Sequence, residues 1–169
     1  MHLALQEYLY AGKGQSTKPP TEAATVTISA QANHGPVAPG QIVRLRVILT
    51  VAPGWHVSAH RPTGRALAAT TISLADGQIA ELVDVAYPPG RELRFPSGGS
   101  MPAYYGTVSI PVKARLAEDL PDGDLRLALH VRTQPCDRSR CRQPRTDEAA
   151  VLLTVRRDEP KVSAPQTED

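Results

Sequence analysis

Cys136 and Cys141 are the only cysteines in this chain of 169 residues, and four residues separate them. Two thiols this close can do dithiol–disulfide chemistry. Directly opposed residues on paired strands have Cα atoms roughly 4.5–5.5 Å apart, inside the roughly 4.4–6.8 Å that a disulfide accepts. A tight hairpin can therefore bring the two sulfurs together at little cost. The resulting bond would be a weak staple. In the chain-entropy model a ring of about six residues contributes only about 2 kcal/mol, against about 3 kcal/mol for fifteen. A single disulfide placed where it stabilises least suits a bond that is made and broken. An ordinary hairpin disulfide beside a solvated loop fits the spacing equally well.

The neighbours of the pair are basic. Arg126, Arg132, Arg138, Arg140, Arg142 and Arg145 fall between Arg126 and Thr146, where Asp137 is the only acid. Positive charge favours thiolate over thiol, and the thiolate is the form that attacks a disulfide. Arg138, Arg140 and Arg142 are thus candidates for electrostatic support, with Asp137 among them.

These residues need a rigid frame. The length suits one domain with tails. Apolar content of 41% can build a core, although only 4% of residues are aromatic. Sixteen Pro and twelve Gly speak for turns and against long helices. A net charge of +2 gives no global reason to bind nucleic acid or an anionic membrane. No window approaches eighteen apolar residues, which excludes a transmembrane helix. Residues 1–14 are a poor signal peptide, since the apolar run is short, Glu7 interrupts it and no basic segment precedes it. The linker-like Gly12–Thr21 closes an N-terminal tail, residues 1–21. The domain is expected over residues 22–157, with a disordered tail over 158–169.

Within the domain the apolar period is two. Val43, Leu45, Val47, Leu49 and Val51 alternate with Arg44, Arg46 and Thr50, which marks a half-buried antiparallel strand. Strands are also expected over 24–32, 69–74, 78–87, from Tyr105 to Leu116, from Leu125 to Arg132, and over 148–155. Pro111 lacks a donor and predicts an edge or a bulge. Residues 91–103 read as a long irregular loop carrying the only Phe, Phe95. Trp55, the only tryptophan, reads as a core anchor. His56 and His60 would share a strand face about 13 Å apart at about 3.3 Å per residue, too far to hold one metal ion. Seven to nine short strands without helical period predict an all-β, immunoglobulin-like antiparallel β-sandwich, with the Cys pair in a late hairpin rather than bridging two sheets.

Five stretches together resemble one family. They are Pro53-Gly54-Trp55-His56-Val57-Ser58-Ala59-His60-Arg61-Pro62, Thr71-Ile72-Ser73-Leu74, Val85-Ala86-Tyr87-Pro88-Pro89, Tyr105-Gly106-Thr107-Val108-Ser109-Ile110-Pro111-Val112, and Gln134-Pro135-Cys136 followed by Cys141-Arg142-Gln143-Pro144. Their order and spacing are similar to the N-terminal periplasmic domain of the thiol:disulfide interchange protein DsbD, over roughly residues 22–157. The resemblance implies a thiol–disulfide oxidoreductase module without cofactor or metal. Cys136 and Cys141 would be its redox pair, passing electrons between thioredoxin-fold proteins outside the cytoplasm, including disulfide isomerases and cytochrome c biogenesis proteins. It also implies a larger multidomain parent and a cap loop whose aromatic shields the disulfide. Phe95 is the candidate here, supported by Tyr104 and Tyr105. The family's cap carries acids near that aromatic, whereas this chain has Arg91-Glu92-Leu93-Arg94-Phe95, which leaves Glu92 or Asp137 for any proton handling. By resemblance Cys141 is the partner-linked cysteine. Two rival readings stay open: a non-catalytic interaction module with a structural disulfide, and Cu(I) held by the two thiolates with His130 or Met101.

Overall fold

A computed structural model describes residues 24–62, 67–77 and 79–157. The tails expected over 1–21 and 158–169 lie outside the described residues. The described chain is all strand and turn: β1 (Val26–Ala32), β2 (Ile42–Val51), β3 (His56–Ser58), β4 (Thr71–Leu74), β5 (Ala80–Val85), β6 (Arg91–Arg94), β7 (Ser100–Tyr104), β8 (Thr107–Leu116), β9 (Gly123–Thr133), β10 (Pro135–Cys136) and β11 (Arg145–Val155). They form three antiparallel sheets with strand orders β1-β2-β8-β5, β10-β3-β7-β6 and β11-β9-β4. The architecture is the expected immunoglobulin-like sandwich.

The period-two pattern shows why. Val43, Leu45, Val47, Leu49 and Val51 on β2 are all buried, and so are Ile110, Val112, Ala114 and Leu116 on β8. Val43, Leu45 and Val47 and the four residues of β8 meet Leu127, Leu129 and Val131 of β9 and Val151, Leu153 and Val155 of β11 in the main core. A second, smaller cluster of Val26, Leu49, Val51, Val57, Ala59 and Tyr104 joins the first sheet to β3 and β7. This second cluster carries the sheet on which Cys136 lies.

Two expectations change. Residues 91–103 are not irregular. β6 and β7 form a hairpin with Arg91 opposite Ala103 and Arg94 opposite Ser100. Its tip turns on Gly98 and Gly99, both at positive φ, which glycine adopts without a Cβ clash. A Cβ on Gly90, at the hairpin's entry, would stand 2.7 Å from the Ala103 nitrogen. The polar, Pro- and Gly-rich composition hides a hairpin whose first strand is largely exposed while Met101, Ala103 and Tyr104 of the second are buried.

Pro111 also differs from expectation. β8 is a central strand between β2 and β5, and the irregular register lies in β5, between Leu82 and Asp84. The carbonyl of Pro111 accepts from Ala86 N–H at 2.9 Å, so its backbone faces the side where β5 has just ended at Val85. The missing donor falls where the ladder has run out, and the sheet tolerates it.

Candidate functional site

The site arises where the chain changes sheets. β9 and β11 pair along their full length, from Gly123–Val155 to Thr133–Arg145. The loop 134–144 between them leaves that sheet, and Pro135 and Cys136 pair instead with Val57 and His56 of β3. β10 is thereby an edge strand, a position that tolerates a proline without N–H. Cys136 and Cys141 face each other in an isolated antiparallel bridge and are joined as a disulfide with Cα atoms 4.0 Å apart.

The two sulfur-bearing residues differ in access. Cys136 is 1% exposed, whereas Cys141 lies on the exposed part of the loop. A nucleophile from outside meets Cys141 first.

Loop 134–144 is held by its own polar groups. The side chain of Asp137 accepts from the N–H of Ser139 and of Arg140, each at 2.8 Å, and from the Ser139 hydroxyl at 3.0 Å. These hydrogen bonds, led by the Ser139 N–H, hold the Asp137 carboxyl below its ordinary range. It is an ionised loop organiser. The buried Gln134 works from the other side: its amide oxygen accepts from Ala68 N–H at 2.7 Å, and its NH2 donates to the Arg142 carbonyl at 3.1 Å. Arg142 N–H donates to the Pro135 carbonyl at 2.8 Å. The pair is thus tied to two neighbouring segments through groups that the thiol chemistry does not consume.

Of the six arginines in the Arg126–Arg145 stretch, two are engaged elsewhere. Arg126 pairs with Glu148 and Arg145 with Asp147, both acids on β11. Arg138, Arg140 and Arg142 remain on the exposed cysteine loop. The Arg142 guanidinium carbon stands 4.6 Å from the centre of the Trp55 ring, while Trp55 packs against the second core cluster. Trp55 is therefore both a partial core anchor and a platform for the cysteine loop.

The aromatic residues separate. Tyr104 is 2% exposed and its hydroxyl donates to the Pro88 carbonyl at 2.8 Å. Burial pushes its phenol pKa up. Val57 pairs with Tyr104, and one step further along the same register Tyr105 stands level with His56, their ring centres 5.5 Å apart. Phe95 is 39% exposed at the hairpin tip. It follows Arg94, which pairs with Ser100, five residues before Tyr105 and so roughly 17 Å along the strand direction at about 3.3 Å per residue. Glu92 lies on the same hairpin in an exposed ion pair with Arg94 at 3.3 Å.

His56, set aside as a metal ligand on spacing, is the residue that sequence reasoning missed. It is 8% exposed and directly opposite Cys136. Burial lowers its pKa, and the charge of Asp137 partly offsets this. Only the strand register reveals the pairing, because eighty positions separate the two residues in sequence. His60 does not join it: its ring stacks on Tyr87 at 3.7 Å, and its Nδ1 lies 3.1 Å from the Thr70 carbonyl. His130 faces Glu148 at 3.8 Å, and Met101 is buried in β7. Among the described residues no group of three or more His, Cys, Asp or Glu is placed to hold a metal ion.

Comparison with known proteins bears on the fold and the family. The N-terminal periplasmic domain of ScsB from Proteus mirabilis is similar in structure, with a TM-score of 0.52 at 15% identity. The alignment covers 78% of this chain and 47% of that one, so this chain spans about half of the ScsB domain. The reduced N-terminal domain of Neisseria meningitidis DsbD aligns with a TM-score of 0.47 at 14% identity, covering 80% of this chain and 90% of that one. No curated protein matches in sequence. The family model for the N-terminal domain of the thiol:disulfide interchange protein DsbD matches residues 19–153, and the chain belongs to that family.

Proposed function

We propose that this domain passes reducing equivalents between thioredoxin-fold proteins through the Cys136–Cys141 pair, outside the cytoplasm. Membership of a thiol:disulfide interchange family supports the chemistry. The compartment is supported by that family and by the periplasmic description of the ScsB domain. The observation that carries the mechanism is the asymmetry between buried Cys136 and exposed Cys141.

A donor thiolate attacks Sγ of Cys141. The Sγ–Sγ bond breaks, Cys136 takes the electron pair, and a donor–Cys141 mixed disulfide forms. The donor's second thiolate then attacks the donor sulfur and releases Cys141. The donor dithiol becomes a disulfide, and this domain gains two electrons and two protons. Delivery runs in reverse: the Cys141 thiolate attacks an acceptor disulfide, Cys136 attacks Cys141, and the acceptor leaves reduced. Arg138, Arg140 and Arg142 favour the Cys141 thiolate and suit a partner with an acidic docking face. Tyr105, beside Tyr104 at the exit of the hairpin, shields the pair until a partner displaces it, and Phe95 at the exposed tip meets that partner.

Trapping tests this directly. A Cys136→Ala variant should accumulate a mixed disulfide through Cys141 with a thioredoxin that lacks its second cysteine. Cys141→Ala should trap poorly. Equal trapping by both variants would overturn the assignment of Cys141, and no trapping by either would overturn the exchange reading.

A further inference from the structure

The disulfide has a buried partner that the exchange scheme does not yet use. Cys136 and His56 are directly opposed across the β10–β3 ladder, and opposed residues on one face have Cβ atoms about 4.5–5.5 Å apart. An imidazole reaches across that gap. Both residues are buried, so bulk water has little access to a proton released between them.

We propose that His56 is the proton acceptor for Cys136. The inference rests on the exchange reading and deepens it. In the mixed disulfide that follows delivery of electrons, Cys136 is a buried thiol and must become a thiolate to attack Cys141. Burial opposes that ionisation. His56 takes the S–H proton as the Cys136 sulfur attacks Sγ of Cys141. The Cys136–Cys141 bond forms, the Cys141–acceptor bond breaks, and the electron pair leaves on the acceptor sulfur. The proton then passes from His56 to solvent. In the opposite direction protonated His56 returns a proton to the departing Cys136 sulfur.

The charges around His56 suit this role. Its burial favours the neutral ring, which is the base-competent form, while Asp137 favours the protonated ring and so stabilises the product of proton transfer. The Tyr105 ring covers it at 5.5 Å, and Arg91 acts on Tyr105 in turn. On the cysteine-loop side Arg142 lies over the neighbouring residue Trp55.

The test uses the reduced protein and the disulfide of nitrothiobenzoate as the acceptor. Release of the first nitrothiobenzoate reports attack by Cys141, and release of the second reports attack by Cys136. General-base assistance is typically worth about 10²–10⁴-fold, so His56→Gln should slow the second release at neutral pH by about tenfold or more and leave the first within about twofold. The lost rate should return as pH rises through the thiol's own ionisation. An unchanged second release, or an equal slowing at every pH, would overturn the proposal. Should His56→Gln fail to fold, the His56 ring titration followed by NMR decides in the native sequence. Reduced protein should show a second inflection in the thiol range that is absent from oxidised protein and from Cys136→Ser. Identical titrations in all three would overturn it. Exchange with thioredoxin-fold proteins is measured separately, so failure of the His56 role leaves the exchange reading standing, and failure of exchange is seen without reference to His56.

Discussion

The guanidinium of Arg142 lies over the indole of Trp55, 4.6 Å from the ring centre, and so joins the residue after Cys141 to the residue before His56. The two halves of the site come from segments far apart in sequence, and this contact closes them on one side while the Cys136–His56 pairing closes them on the other. An exposed cation–π contact is worth about 0.5–1 kcal/mol. Arg142→Ala should lower the unfolding free energy of the oxidised protein by about that much in urea denaturation. Trp55→Ala should cost more, since it also removes packing against the second core cluster.

Local charge should act only through the arginines on the loop. Replacing Arg138, Arg140 and Arg142 together by Ser should raise the pH at which Cys141 becomes reactive toward iodoacetamide and slow its alkylation at neutral pH. Replacing Arg126 and Arg145 should leave that profile in place, because Glu148 and Asp147 already engage them. Equal effects from the two sets would show that the field of the whole surface governs the thiol.

Gln134 and Asp137 should hold the loop in both redox states. Gln134→Ala leaves the Ala68 N–H and the Arg142 carbonyl without the partners they have now, and a lost partner in a buried setting costs about 1–3 kcal/mol. Amide exchange at Ala68 is the sensitive readout. Asp137 sets an acid limit. Its folded pKa is depressed, so its contribution to stability is full above the ordinary Asp value of about 3.9. That contribution fades as pH falls below this value through the depressed one. Asp137→Ala should flatten the acid limb of the stability profile and leave the neutral range least changed in slope.

Shielding should divide by distance along the ladder. Tyr105→Ala should speed reduction of the disulfide by the small reagent dithiothreitol by several-fold, since its ring lies beside His56. Phe95→Ala should change that rate little and instead alter reaction with a protein partner, which meets the exposed hairpin tip. If Phe95→Ala has the larger effect on dithiothreitol, the tip folds over the sulfurs in solution.

The frame was legible in the sequence because its core strands obey one period. Val43 to Val51 read as a half-buried strand and became one. The cysteine pair was legible from spacing, whereas the last strand, expected over 148–155, begins already at Arg145. What stayed hidden depends on register between remote segments. In the β6–β7 hairpin the buried apolar residues Met101, Ala103 and Tyr104 all lie on the short β7, and the exposed β6 carries no apolar stripe to announce the pairing. Pro111 sits centrally because β5 ends beside it, which the proline's own neighbours cannot reveal. Glu148 engages Arg126 from across the β9–β11 ladder, which a window of sequence cannot show, whereas Asp147 engages Arg145 from two residues away on the same strand. His56 meets Cys136 only once β3 and β10 are aligned.

The most direct measurement is the reduction potential of the Cys136–Cys141 pair, by thiol trapping in graded glutathione buffers with the fold followed by circular dichroism. The account predicts a value within about −120 to −270 mV, the range of exchange proteins, with the β-sandwich intact in the reduced protein. A value below about −300 mV, typical of structural disulfides, or loss of the fold on reduction, would contradict it.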